Sequence, residues 1–334
     1  MRHTSRRDWL RAAGGAATAL VAGGPRVATA AAPAGGPPVI DTHTHFYDPT
    51  RPQGVPWPAK GDPVLDRTVL PDEWERLVAP HGVSGTVIVE ASPWVEDNQW
   101  LLDLAARHRP AAGMLGIVGI VGQLPLGDPA CAGLIDRFAG NPLYRGVRVR
   151  PGPLADGLRD TAVVADLGRL AAADLSVDLV GPTALATAAA VAAKVPDLRI
   201  VVDHMGAARM GRDGVERGWR EAVDAAARHA RVFLKVSALM EAAHAAQDGK
   251  APRDPAFYKP WLDAVWESFG DGRLLYGSNW PVSEKAGTYA EVLAIVQPYV
   301  AARGPAAERQ FYADAARAAY RWVGGIEPAT PRGA

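Results

Sequence analysis

Val39-Ile40-Asp41-Thr42-His43-Thr44-His45 is the stretch on which the reading of this chain turns. An apolar strand start runs into two histidines one residue apart. In an extended strand, side chains two apart share a face, so His43 and His45 can converge on one point. Convergent imidazoles at the C-terminal end of a strand have the form of a metal or proton-transfer site. Taken alone, the pair is equally compatible with two hydrogen-bonded surface residues, so the rest of the chain decides.

Outward from this strand the pattern repeats. Continuous apolar runs fall at Gly85 to Glu90, Met114 to Val121, Tyr144 to Arg150, Leu175 to Val180, Leu198 to His204, Val232 to Ser237 and Arg273 to Ser278. Helical patterns separate them, among them Glu96 to His108, Ala184 to Lys194 and Val215 to His229, with Tyr289 to Ala301 and Ala306 to Trp322 closing the chain. Continuous rather than alternating apolar strands imply a sheet buried on both faces. Eight strand–helix units predict a single (β/α)8 TIM barrel over 39–323 with an additional C-terminal helix. A doubly wound open sheet would want a glycine-rich phosphate turn after the first strand, and histidines stand there instead. Residues 324–334 read as a flexible tail.

The 334 residues carry no formal net charge and one cysteine, Cys131. That balance argues against nucleic acid as a partner, and a lone cysteine excludes an intrachain disulfide or a cysteine-cluster metal site. Residues 1–30 read as a twin-arginine signal peptide. Ser5-Arg6-Arg7-Asp8-Trp9-Leu10 precedes a short Ala/Gly-rich apolar stretch and an Ala28-Thr29-Ala30 cleavage-like site. The stretch is too short for stable membrane insertion. The expected destination is the periplasm or the extracellular space, and 31–38 is a Pro/Gly/Ala linker.

In a barrel, the C-terminal strand ends meet at one mouth, where catalysis occurs. Strand ends alone gather His43, His45, Glu90, Arg148, Arg150, His204, Ser237 and Asn279, whereas His81, His108, His229 and His244 fall on helices or loops. Arg148 and Arg150 can hold a carboxylate or polarise a lactone oxygen. Tyr47, Trp57, Trp94 and Trp280 lie in loops from which they can line a substrate site and stack on a ring. Lys235 sits inside a strand and needs an acidic partner, Glu90 or Asp203. Glu241 follows the seventh strand as a spare general base.

Several stretches resemble the amidohydrolase-related family of TIM-barrel hydrolases. They are Asp41 to Phe46, Val87 to Ala91, Arg145 to Arg148, Val202 to Gly206, Phe233 to Ser237 and Tyr276 to Pro281. The branch they resemble is that of fuconolactonase-like and 2-pyrone-4,6-dicarboxylate lactonases. The resemblance implies an activated-water hydrolase of a small cyclic ester, with Arg148 on a substrate carboxylate. Two positions depart from the pattern. Leu179-Val180-Gly181-Pro182 stands where fully metal-dependent members have a histidine, and Asn279 stands where an aspartate is usual.

An amide is neither a useful base nor a strong ligand. Three chemistries remain open. His43, His45 and His204 bind one divalent cation, zinc by preference; or a histidine or carboxylate activates water without metal; or the barrel binds ligand without turnover. The catalytic set is His43, His45, His204, Asn279 and Glu241. A metal-dependent non-oxidative decarboxylase is the alternative enzyme.

Overall fold

Branched apolar residues and glycine make up most of the strands, and the alternation with helices leaves them no exposed face. The computed structural model describes residues 38–322 and 324. The signal-peptide reading, most of the linker and most of the tail lie outside these residues. Strands β1 (Val39–Thr44), β2 (Val83–Val89), β3 (Gly116–Gly122), β4 (Tyr144–Val149), β5 (Ser176–Leu179), β6 (Arg199–Val202), β7 (Val232–Val236) and β8 (Leu274–Tyr276) follow one another in space as in sequence. Every neighbouring pair is parallel. Just beyond β8, Trp280 bridges Thr44, and its carbonyl accepts from the His45 N–H at 2.9 Å, which draws the last strand against the first. The expected (β/α)8 barrel is the observed fold.

Two apolar layers hold it. The larger packs the outer helices on the strands; Trp74 and Val78 of helix Pro71–Val78 are fully buried in it. The smaller joins residues from six strands, including Ile40, Val87, Val118, Val201, Phe233 and Leu275, and fills the barrel interior. Truncating a buried aromatic such as Trp74 to alanine costs about 3–5 kcal/mol. Among the described residues no helix is long and apolar enough to cross a membrane.

The C-terminal segment departs from the single helix expected over Ala306 to Trp322. It runs as Pro305–Arg309, a π turn Gln310–Asp314 and Ala315–Tyr320. The wider turn lets three consecutive residues, Phe311, Tyr312 and Ala313, all be buried, which one helical face would not allow. Ala315, Ala316, Ala319 and Tyr320 then join the interior cluster, and Arg199 at the start of β6 donates to the Ala319 carbonyl at 2.7 Å. The helix therefore closes the end of the barrel opposite the mouth.

Candidate active site

Phe233, Lys235 and Ser237 alternate along β7 and its extension and share one face, with Phe233 in the interior cluster. Lys235 is fully buried above it. Its Nζ donates to Asp178 of β5 at 2.8 Å and lies 3.0 Å from Asp203 Oδ1, at the end of β6, and 3.2 Å from His43 Nδ1. Tyr320 donates from below to Asp178. Burial alone would raise the Asp203 pKa, but Lys235, then His43 and Arg148, hold it well below the ordinary carboxylate range. These cations favour the ionised form of Asp203. His43 fits this crowded place because Gly277 stands opposite: a Cβ there would meet the His43 Cβ at 2.9 Å.

The three strand-end histidines are brought together. The His43 ring lies 5.0 Å from that of His45 and 4.3 Å from that of His204. All three are held neutral. Burial, followed by Lys235, lowers His43 strongly; burial and Arg148 take His45 to about 3; burial takes His204 to about 4. His45 Nδ1 lies 3.0 Å from the Val89 carbonyl, which only accepts, so the proton is on Nδ1 and Nε2 keeps its lone pair. His204 begins a left-handed turn, with φ of 54° there and 52° at Met205. Such residues cost on the order of 1–3 kcal/mol each and are retained where the surroundings over-determine them. Here Ser237 Oγ accepts from the His204 N–H at 3.2 Å and meets its Nδ1 at 2.9 Å.

His43, Asp203 and His204 each present a ligand atom within 4.8 Å of the others, a spacing that one metal ion can bridge. The donor chemistry fits. Among the described residues, buried Nε2 of His43 has no hydrogen-bond partner, and the two Asp203 oxygens are met by the ion pairs with Lys235 and Arg148 rather than by directed hydrogen bonds. The Nδ1 edge of His43 faces Lys235 and Asp203, which leaves Nε2 as the atom available to coordinate. Asp203 is the third member of this cluster; His45, expected as a ligand, is not one of the three.

Beside the cluster a cavity of about 790 Å³ opens at the mouth, walled by His45, His204, Asn279, Glu90, Arg148 and Arg150 among others. Arg148 links cluster and cavity: its Nε is 3.5 Å from Asp203 Oδ2 and its Nη1 is 3.9 Å from Glu90 Oε1. Burial pushes Glu90 up to about 7 against the pull of Arg148 and Arg150. Trp57 also lines the cavity and packs edge-on to His45 at 5.7 Å.

Other expected site residues are placed elsewhere. Tyr47 is buried and donates to the Leu65 carbonyl at 2.9 Å, and Trp280 is buried with its indole N–H on Glu284 at 2.7 Å. Both serve the core rather than a ligand ring. Trp94 stands exposed at 37% and is not on the cavity wall. Glu241 lies behind the wall, accepting from Asn279 Nδ2 at 2.9 Å. Lys235 pairs with Asp203 as expected and not with Glu90; its second partner is Asp178. A charged residue inside the apolar Ser176–Leu179 strand was the available signal.

The amidohydrolase family model matches residues 40–322. The chain belongs to the amidohydrolase family. It is 33% identical over 255 residues to the L-fucono-1,5-lactonase of Burkholderia ambifaria, covering 75% of this chain and 83% of that one. To the L-fucono-1,5-lactonase of Burkholderia multivorans it is 32% identical over 279 residues, 81% and 91% of the two chains. A crystal structure of an amidohydrolase from Burkholderia multivorans with bound zinc superposes with a TM-score of 0.75 at 27% identity, over 85% of this chain and 99% of that one. As a member of the family, the protein is a hydrolase.

Proposed function

We propose that this amidohydrolase is a lactonase that opens the cyclic ester of a sugar acid with water. One observation carries the reading: a carboxyl group poised near neutrality, Glu90, shares a cavity wall with the cations Arg148 and Arg150 and two neutral imidazoles. A general base works best when its pKa lies near the working pH. Similarity to two L-fucono-1,5-lactonases supports the same class of substrate and favours it over decarboxylation.

In this reading, Glu90 takes a proton from water as the water oxygen bonds to the lactone carbonyl carbon. The carbonyl electron pair moves onto its oxygen, where the Arg148 guanidinium stabilises the charge. Collapse of that centre breaks the bond to the ring oxygen. Glu90 returns its proton there, so lactone and water become a hydroxy acid. Trp57 offers an apolar edge to the ring, and Arg150 a cation to an outlying oxygen or carboxylate. His43, Asp203 and His204 would hold a divalent cation, for which we propose zinc. When bound, it supplies Lewis-acid polarisation and lowers the pKa of water. Export by the twin-arginine route to the periplasm or beyond is part of the proposal, and loss of export on replacing Arg6 and Arg7 by lysine tests it.

The activity test is a panel of sugar-acid 1,5-lactones, with and without chelator, for the wild type and Glu90→Gln. Turnover that falls by about 10²–10⁴ in the variant is expected for loss of a general base. Absence of turnover on every lactone, or carbon dioxide as a product, overturns the reading.

A further inference from the structure

Beyond β8 the chain turns through Asn279 in the left-handed region, φ 60°, which asparagine adopts more readily than most residues. Its side chain lines the cavity, and its Nδ2 donates to Glu241 Oε1 at 2.9 Å. Glu241 stands in the first turn of helix Leu239–Ala246. Although part of the residue is exposed, its Oε2 is buried with no hydrogen-bond partner. Among the described residues, no charged side chain shifts it; apart from its own backbone N–H, the amide of Asn279 is the polar group that holds it. The other titratable groups facing it are the hydroxyls of Tyr276 on β8 and of Tyr258 in helix Pro255–Phe269, and Tyr258 donates elsewhere, to the Pro252 carbonyl at 2.8 Å.

An amide has a donor end and an acceptor end. A carboxylate only accepts, so ionised Glu241 takes Nδ2 and leaves Oδ1 for the cavity; a protonated carboxyl can donate to Oδ1 and turn Nδ2 outward. We infer that Glu241 is a positioning residue that sets which end of the Asn279 amide faces the substrate. Position 279 is thereby an acceptor for a ligand hydroxyl when Glu241 is ionised and a donor when it is protonated. An acceptor at position 279 wants a hydroxyl or a water against it, which suits a polyhydroxylated lactone. Burial pushes Glu241 up to about 7, so both states are populated near neutral pH. The ligand class rests on the lactonase reading; the amide switch does not.

The test is therefore read first without turnover. In full-length protein labelled with ¹⁵N-asparagine, the Asn279 side-chain NH₂ signals are identified by their loss in Asn279→Asp. They are expected to shift between about pH 6 and about pH 8, the range of a carboxyl raised by burial. In Glu241→Gln that shift should vanish. A wild-type signal that does not move over this range, or one that moves identically in Glu241→Gln, overturns the inference. Because Glu90 shares the cavity wall and is also pushed up to about 7, the titration is repeated in Glu90→Gln, where the shift should persist; its loss there overturns the inference. The kinetic counterpart is a KM for hydroxylated lactones raised about tenfold in Glu241→Leu, which leaves the Asn279 amide without its acceptor, with kcat within about twofold, equivalent to about 1.4 kcal/mol of lost binding. An equal fall in kcat for hydroxylated and deoxygenated lactones would contradict a positioning role.

Discussion

The barrel mouth has two halves built on opposite electrostatic plans. Around β5 to β7 and the facing β1, Asp178, Lys235, Asp203 and His43 are fully buried, and the lysine lies within 3.2 Å of the other three. Around β2 to β4, Glu90 and Arg148 keep about 17% and 15% of their side-chain surface, their charged groups approach no closer than 3.9 Å, and they share their wall with exposed Arg150. The closed half has charges that cannot be removed singly without stranding a partner. The open half has charges that remain available to something else. The difference separates charges locked to one another from charges that a substrate can meet.

Breaking the closed half is expected to have the largest effect. Lys235→Met takes the shared cation from two buried carboxylates, Asp178 and Asp203, and should cost about 3–5 kcal/mol in urea unfolding, as loss of one partner of a buried ion pair does. Adding Asp178→Asn should return part of that loss, because it removes one of the stranded charges. A single variant as stable as wild type would remove the structural role. In the open half, Glu90→Gln should leave unfolding within about 1 kcal/mol, the scale of an ordinary hydrogen bond, while kcat on a reactive lactone falls by about 10²–10⁴. Arg150→Ala should raise KM about tenfold with a smaller change in kcat, as loss of one charge-assisted contact does. Trp94→Ala is the control. Exposed and away from the cavity, it should change stability by no more than about 0.5 kcal/mol and leave KM alone; a raised KM would mean the cavity extends further than its present walls.

Which half was legible in the sequence follows from the same contrast. Strand periodicity located both rims, and the histidines at strand ends marked the mouth without any partner being known. The closed half depends on pairs that cross the barrel. Lys235 announced the need for a counter-ion, but Asp178, two strands away, is connected to it only by closure of the sheet. Tyr47 and Trp280 illustrate the opposite failure. An aromatic residue beside proline in a loop can face a cavity or seal the core, and only the path of the loop decides. Asn279 was visible as an amide where an acid is usual. Its carboxylate partner, 38 residues earlier in the chain, became evident only through the 2.9 Å contact.

Central to the account is Glu90 as the group that activates water in the open half. The most direct measurement is the pH dependence of kcat/KM on a sugar-acid 1,5-lactone for wild type and Glu90→Gln. A base must be ionised, so the wild-type rate should rise with pH and level off above a midpoint at about 7, the value to which burial pushes this carboxyl. In Glu90→Gln the rate should be low and that limb absent. A variant that keeps both the rate and the limb would contradict the account.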